Sequence, residues 1–368
     1  MSYFVREIKE KSGMDDFLSL PSEIYRNDPN HIVPQLSEIK RVLNPLKNPY
    51  FTNASLNIYV CYSLGKPVCR AVMVINRLHW QKWKRKSAFF GFFESVDDSD
   101  AALYLFRKIE SYARASGAEY LEGPFNPNHY SELGILLDNF NSAPIFFESY
   151  NPPYYSVLLK EAGFSELCKF HTRINNNFSD TLVKKIKDSH RPSGKNDITI
   201  RKFNIFRFKR DLEILREINN DAFENNWYFL PLSRKEYLFS AKFLFFVTNP
   251  GLILIAEYKG QAVGAVQCVI NFNCLIKSLN GRIRPWNIPG LLLRKRNIKE
   301  LIIFTGAVKK SFRNTRVSAL LFRNMLRIFR NCTSLATTWI SDENLGAHLD
   351  KLFELRPDKH FAIFSKQL

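Results

Sequence analysis

Two short stretches of this 368-residue chain carry side chains suited to opposite chemistries. The run Lys309-Lys310-Ser311-Phe312-Arg313-Asn314-Thr315-Arg316-Val317-Ser318 follows an apolar strand ending at Val308 and sets four cations and two hydroxyls ahead of a helix-periodic segment. Backbone N–H groups and the positive dipole end at a helix start face an anion, so this loop has the makings of an anion site; its plainer reading is a basic loop over a helix start. The run Glu94-Ser95-Val96-Asp97-Asp98-Ser99-Asp100 stands at the same place relative to its own helix and carries four carboxylates, which repel an anion. Glu94 closes the apolar strand containing Phe89, Phe90, Phe92 and Phe93. Burial there raises a carboxyl pKa towards that of a working base, while the alternative role is a carboxylate at a helix start. His129 and Glu132, after Gly123-Pro124, are further acid/base candidates, His129 also reading as a plain loop histidine. Tyr154 and Tyr155 either supply a phenol or pack as aromatics.

The charge is distributed unevenly. Residues 1–180 hold 20 Lys/Arg and 20 Asp/Glu, whereas residues 181–368 hold 33 and 15, so the whole net charge of +18 lies in the second half. Between Arg282 and Arg316 there are ten cations and one anion, Glu300. Such a concentration suits a polyanionic partner, whether nucleotide phosphate, nucleic acid or anionic lipid, or else forms a solvated basic face. Within it, Arg282–Arg296 (RIRPWNIPGLLLRKR) sets Trp286, Ile288, Leu291, Leu292 and Leu293 between basic clusters, which suits either an anionic membrane surface or a cap over a core. Trp80–Lys86 (WQKWKRK) poses the same choice. No run reaches the ~20 apolar residues that span a bilayer, and the first residues mix charges through every apolar stretch, so the expectation is a cytoplasmic protein, peripheral on the membrane at most. The six cysteines lie apart, with no C-x-x-C pair, and read as reduced core residues, with no metal site expected.

The elements that must position these residues repeat. Gly65, Val68, Val74, Ile75 and Asn76 spell G-x-x-V-x5-V-I-N, and Gly260, Val263, Val269, Ile270 and Asn271 spell it again 195 residues later. Each glycine sits between β-rich runs, as in a hairpin. A strand (Ser87–Phe93), a helix (Asp100–Ser116), a strand (Tyr120–Gly123) and a helix from Tyr154 follow the first hairpin; a strand (Leu301–Val308), a helix (Val317–Asn331), a strand near Trp339 and a helix from Leu345 follow the second. Before the second hairpin, Leu212, Leu215, Ile218 and Ala222 mark one helical face and Ser233-x-x-Glu236 is a capping box. The expected fold is α/β with mixed sheets, divided into residues 1–176, a polar linker at 177–196 and residues 197–368.

This order resembles the GNAT acyltransferase fold, and the doubled form resembles a tandem-GNAT family of bacterial proteins that includes the bacterial ceramide synthases. The matching phrases are Tyr25–Asn30 (YRNDPN) with Val33-Pro34, Lys47–Phe51 (KNPYF), Phe89–Glu94 (FFGFFE), Gly123–Asn128 (GPFNPN), Tyr150–Tyr155 (YNPPYY) and Gly163-Phe164, with looser echoes at Asn280–Arg282 and Trp339–Asn344. The resemblance implies two tandem GNAT domains and N-acyl transfer from acyl-CoA, a co-substrate rather than a resident cofactor, to an amphiphilic amine such as a sphingoid-like base. It implies that the donor's pyrophosphate lies at Lys309–Ser318, with Asn344 contacting the cofactor and Asp342 close by, and that the first domain is the acceptor side. One departure stands out. The family's pyrophosphate loop uses glycines, and here Asn314 or Arg316 occupies such a place; Asn tolerates a left-handed backbone and Arg does so poorly, leaving a donor site either altered or lost. Two other readings remain open: a Fem-like transferase using aminoacyl-tRNA, whose basic surface would serve tRNA, and a catalytically degenerate binding protein.

Overall fold

The computed structural model describes residues 2–181, 197–247, 249–341 and 352–368. The chain forms two compact units, one of Met1–His171 with Ile276–Arg284 and Lys359–Leu368, the other of Thr172–Leu275 with Pro285–Asp358. A division at the linker alone would assign 276–284 and 359–368 to the second unit; they pack instead with the first. Most of the linker, residues 182–196, lies outside the described residues.

The first unit runs β1 (Tyr3–Glu7), α1 (Lys11–Ile24), α2 (Leu36–Val42), β2 (Ala54–Ser63), β3 (Lys66–Asn76), α3 (Arg77–Trp83), β4 (Ser87–Ser95), α4 (Ser99–Ala115), β5 (Tyr120–Gly123), β6 (Ile135–Leu136), α5 (Tyr155–Glu161) and the start of β7 (Ser165–Asn175). Strands β1 to β4 pair antiparallel and β4 pairs parallel with β5. Helix α4 buries Ala101, Leu105, Phe106 and Ile109, one stripe at helical spacing, against Phe90, Phe93 and Leu121 of the sheet. The end of the chain completes this sheet, with Phe364, Ser365, Lys366 and Gln367 pairing antiparallel with β5. Lys359 anchors that return. Its fully buried ammonium donates to the Ala143 carbonyl at 2.9 Å and meets the equally buried Glu148 carboxylate at 3.1 Å.

The second unit runs β8 (Ile198–Lys202), α6 (Phe208–Phe223), α7 (Arg234–Val247), β9 (Ile253–Tyr258), β10 (Gln261–Ile270), α8 (Asn273–Ile276, whose last residue belongs to the first unit), α9 (Asn287–Arg294), β11 (Glu300–Val308), α10 (Val317–Ile328), β12 (Ser334–Thr337), β13 (Ile340–Ser341) and the start of β14 (Arg356–Gln367). Strands β8 to β11 pair antiparallel, β11 pairs parallel with β12, and β12 pairs with the end of β7. The α6 face of Leu212, Leu215, Ile218 and Ala222 packs on Ile253, Ile255, Ala265 and Ala307. The capping box forms: the Ser233 amide donates to Glu236 Oε2 at 2.8 Å and the Glu236 amide to Ser233 Oγ at 3.3 Å.

The two hairpins turn alike. Leu64 (φ 49°) with Gly65 (φ 75°) and Lys259 (φ 47°) with Gly260 (φ 80°) both place two left-handed residues at the tip, the backbone of a two-residue turn that follows the twist of its strands. The equivalence extends beyond the hairpin. The Val96 amide donates to Val68 O and the Lys309 amide to Val263 O, both at 2.9 Å, and Val68 and Val263 are related by the same 195-residue shift. Four of the six cysteines are buried; Cys168 is part-exposed and Cys274 exposed.

Candidate functional site

In the first unit, β4 is distorted where the candidate carboxylate stands. The β3–β4 register slips by a residue between Arg70 and Val72, opposite Gly91 and Glu94, and Phe92 takes φ 49°. Gly91 is required there, because a Cβ would lie 1.7 Å from the Phe125 carbonyl oxygen. Beyond the bulge Glu94 turns into a polar knot. Tyr25 Oη donates to Glu94 Oε2 at 2.8 Å, Tyr155 Oη donates to the same oxygen at 2.7 Å, and the buried Arg70 guanidinium lies 3.6 Å from Oε1. Arg70 also donates to the Phe17 carbonyl. Burial raises the Glu94 pKa, opposed by Arg70 and by the two phenols. The carboxylate thus ties α1, β3, β4 and α5 together, and the start of α4 is capped by Asp98, whose Oδ1 accepts the Ala101 amide at 3.1 Å. Tyr155 is held by Glu94 and by the Ser95 amide, which donates to its oxygen at 3.0 Å, while Tyr154 donates to the Ser95 carbonyl at 2.9 Å.

His129 and Glu132 stand on the loop after β5, which the Phe125–Leu133 bridge folds back on itself. Both are half-buried. Burial, with His79 and Lys82 nearby, lowers the His129 pKa to about 3, and its Nε2 is buried without a hydrogen-bond partner among the described residues. Burial, followed by the charge of Glu94, pushes the Glu132 carboxyl up to about 7. A neutral imidazole and a carboxyl titrating near neutrality therefore occupy one loop, and Glu132 has the proton affinity of a useful base at neutral pH.

In the second unit, β11 carries its own bulge, between Gln267 and Cys268 of β10, at Phe304. Its parallel pairing with β12 ends at Ile303 and Thr337. Beyond that point, among the described residues, Thr305–Val308 pair with β10 alone, and a Cβ on the exposed Gly306 would meet nothing within 4 Å. Among those residues this strand edge is open. The first unit has no such opening, for the Phe125 amide donates to Phe90 O at 2.8 Å and Asn126 Oδ1 accepts the Phe92 amide at 2.6 Å. Its own chain fills the place.

The open edge leads into the basic loop. The Lys310 amide donates to Asp221 Oδ1 at 2.7 Å, its ammonium pairs with Glu224, and Arg313 donates to the Ala222 carbonyl, so the end of α6 braces the loop. Phe312 packs on Tyr258 with ring centroids 5.5 Å apart, Thr315 Oγ1 donates to Phe312 O at 2.6 Å, and Val317 is buried at the start of α10. Asn314 is left-handed (φ 62°) whereas Arg316 has φ −73°. The left-handed demand falls on the residue that tolerates it, so the glycine departure does not distort Arg316. Lys309 and Arg316 make no ion pair among the described residues, and Ser318 is exposed on the first turn of α10. Asp342 and Asn344 lie outside the described residues.

The remaining basic segments differ from one another. In α3, Trp80 donates its indole N–H to Ser87 O at 2.8 Å, is covered by Arg77 and packs on the core, so this segment is a cap. In and beside α9, Trp286, Leu292 and Leu293 are exposed at 69%, 45% and 67%, while Leu291 is buried and Ile288 half-buried. No described helix is long and apolar enough to cross a membrane.

The repeated hairpins, bulged strands and helix-capped loops define a tandem GNAT-like fold. No family model matches the chain. It is 27% identical over 379 aligned positions to the Escherichia coli protein YghO, covering 99% of this chain and 95% of that one. It is 28% identical over 330 positions to the bacterial ceramide synthase of Caulobacter vibrioides, covering 88% and 85%. Among solved structures, a tandem GNAT protein from the clavulanic acid biosynthesis pathway superposes with a TM-score of 0.58 at 10% identity, covering 100% of this chain and 98% of that one. The chain is a tandem GNAT-fold protein related to bacterial ceramide synthase.

Proposed function

We propose that this protein is an N-acyltransferase that moves an acyl group from acyl-CoA to the amine of an amphiphilic acceptor, a sphingoid-like long-chain base, with the donor held by the second unit. The observation that carries this reading is the β11 edge, open among the described residues and running into the basic loop, whereas the equivalent edge of the first unit is closed by Asn126. The two amides of a pantetheine arm suit an unpaired strand edge, as a strand would. A pyrophosphate suits the exposed Arg316 and Ser318 at the start of α10, with the half-buried Lys309 at the other end of the loop. The kinship with a ceramide synthase supports the acceptor class.

In the reaction the amine nitrogen attacks the thioester carbonyl, the C–N bond forms and the C–S bond breaks. The amine proton goes to a base and the departing thiolate takes up a proton. Glu132 and His129, together on the loop after β5, are kept as acceptor-side candidates for taking up the amine proton; Glu94, with hydrogen bonds from two phenols and Arg70 alongside, is assigned a positioning role. Asp342 and Asn344 are kept as second-unit candidates for the donor side. The exposed apolar face of α9, with Arg294, Arg296 and Lys299 beyond it, is proposed to rest on an anionic membrane surface, each cation contributing roughly 1 kcal/mol. Mass spectrometry of products from a panel of long-chain amines and acyl-CoAs tests the reaction: N-acylated long-chain base is expected, and the absence of product from every pair contradicts it.

A further inference from the structure

The second unit contains a cleft that the proposed reaction does not use. It has a volume of about 570 Å³ and opens at the Glu300–Leu301 end of β11, the opposite end of that strand from the Lys309 loop. Its walls include Lys295, Arg296 and Lys299 together with Asn249, Asn297 and Asn331. Among the described residues no carboxylate lines it. Glu300, the only anion between Arg282 and Arg316, has its carboxylate held by the Asn271 amide at 2.7 Å. Arg296 and Lys299 are exposed and form no ion pair among the described residues. Burial lowers the pKa of Lys295 at the same wall.

Two observations combine here. The cleft is lined by basic residues and asparagines, and its Lys295–Lys299 wall follows directly on α9, where Leu292 and Leu293, with Trp286 just before the helix, are exposed. An anion tethered to an apolar chain satisfies both, whereas a free anion satisfies only the first. We propose that this cleft receives the phosphate headgroup of an anionic phospholipid while the apolar residues of α9 enter the adjoining acyl region. Its volume lies in the range of small-ligand sites. Arg296 and Lys299 supply charge to the phosphate, and Asn297 and Asn331 donate to its ester oxygens or to headgroup hydroxyls. The proposal rests on the membrane-docking part of the preceding reading and adds a defined headgroup site to it.

Sedimentation of the full chain with phosphatidylcholine vesicles containing phosphatidylglycerol tests it. The charge-neutral pair Asn297→Leu/Asn331→Leu is expected to weaken binding about tenfold, with the salt dependence of the remaining binding unchanged. The pair Arg296→Gln/Lys299→Gln, also on exposed residues, provides a second arm that reads the charge. It is compared with Lys209→Gln/Arg210→Gln, an equal loss of charge on exposed residues of α6. The cleft pair is expected to lose at least tenfold in affinity and the α6 pair less than threefold. Equal losses from the two pairs, or an unchanged affinity in the folded asparagine variant, overturn the headgroup site and leave membrane docking standing. Failure of the unaltered chain to bind any anionic vesicle at low salt overturns both.

Discussion

Asn126 Oδ1 accepts the backbone amide of Phe92 at 2.6 Å, so the first unit fills with its own chain the strand edge that, among the described residues, the second unit leaves open beside Gly306. The two units share one hairpin-and-bulge plan, closed in the first and, among the described residues, open in the second. The acidic run at Glu94–Asp100 accompanies the closed form and the basic run at Lys309–Ser318 the open one.

Replacing Asn126 by Leu leaves the Phe92 amide without its acceptor. Leaving a buried donor unsatisfied costs about 1–3 kcal/mol. Urea unfolding is expected to show a loss of that size, with acyl-CoA affinity unchanged because the substitution lies in the first unit.

Glu94→Gln removes the charge facing the buried Arg70. Breaking a buried pair by neutralising one partner costs roughly 3 kcal/mol or more. Stability is expected to fall by that order while turnover per folded molecule stays within about tenfold. A loss beyond a hundredfold in folded enzyme would assign Glu94 to the chemistry instead.

Glu132 gives a pH signature. Its folded pKa of about 7 lies above the unfolded value of 4.5, so the folded state binds the extra proton and stability declines as pH rises from about 4.5 to 7. At about 1.4 kcal/mol per pKa unit, that decline approaches 3 kcal/mol. His129 acts in the other sense. Its lowered pKa makes the folded state bind fewer protons, so its contribution improves as pH rises from about 3 to 6.5. Relative to the unaltered protein, Glu132→Gln is therefore expected to gain stability between pH 5 and pH 8 in urea titrations. The rising limb of kcat/KM near pH 7 is expected to disappear with it.

The repeated hairpin was legible in the sequence because its chemistry is local: a glycine able to take positive φ between two β-rich runs marks each turn. The capping box at Ser233 and Glu236 was legible for the same reason. Contacts between residues distant in sequence were not. The Phe92–Asn126 bond spans 34 residues and the Lys359–Glu148 pair 211, and no spacing rule announces either. Nor did the glycine-based loop pattern decide between Asn314 and Arg316 as the left-handed residue, since that depends on how Lys310 and Arg313 are braced by the end of α6. The sequence offers Glu94 as a base or a helix-start carboxylate and not as the centre of a polar knot, because its partners Tyr25, Arg70 and Tyr155 come from three other elements.

Lys359→Met strands the Glu148 carboxylate in the core and is expected to cost about 3–5 kcal/mol. Lys359→Met/Glu148→Gln is expected to recover part of that loss, and a double-mutant cycle by denaturant unfolding measures the coupling.

Asn314→Gly is expected to be nearly neutral, whereas Asn314→Val forces a β-branched residue to φ 62° and costs on the order of 1–2 kcal/mol. Thermal unfolding reports the strain, and the Val variant is expected to weaken acyl-CoA binding by disordering the loop.

Titration calorimetry of long-chain acyl-CoA into the full chain, beside Lys309→Glu/Arg316→Glu, tests the second unit as donor site most directly. One saturable site per chain is expected, with affinity at least tenfold weaker in the double variant. No binding heat, or equal affinity in the two proteins, would contradict it.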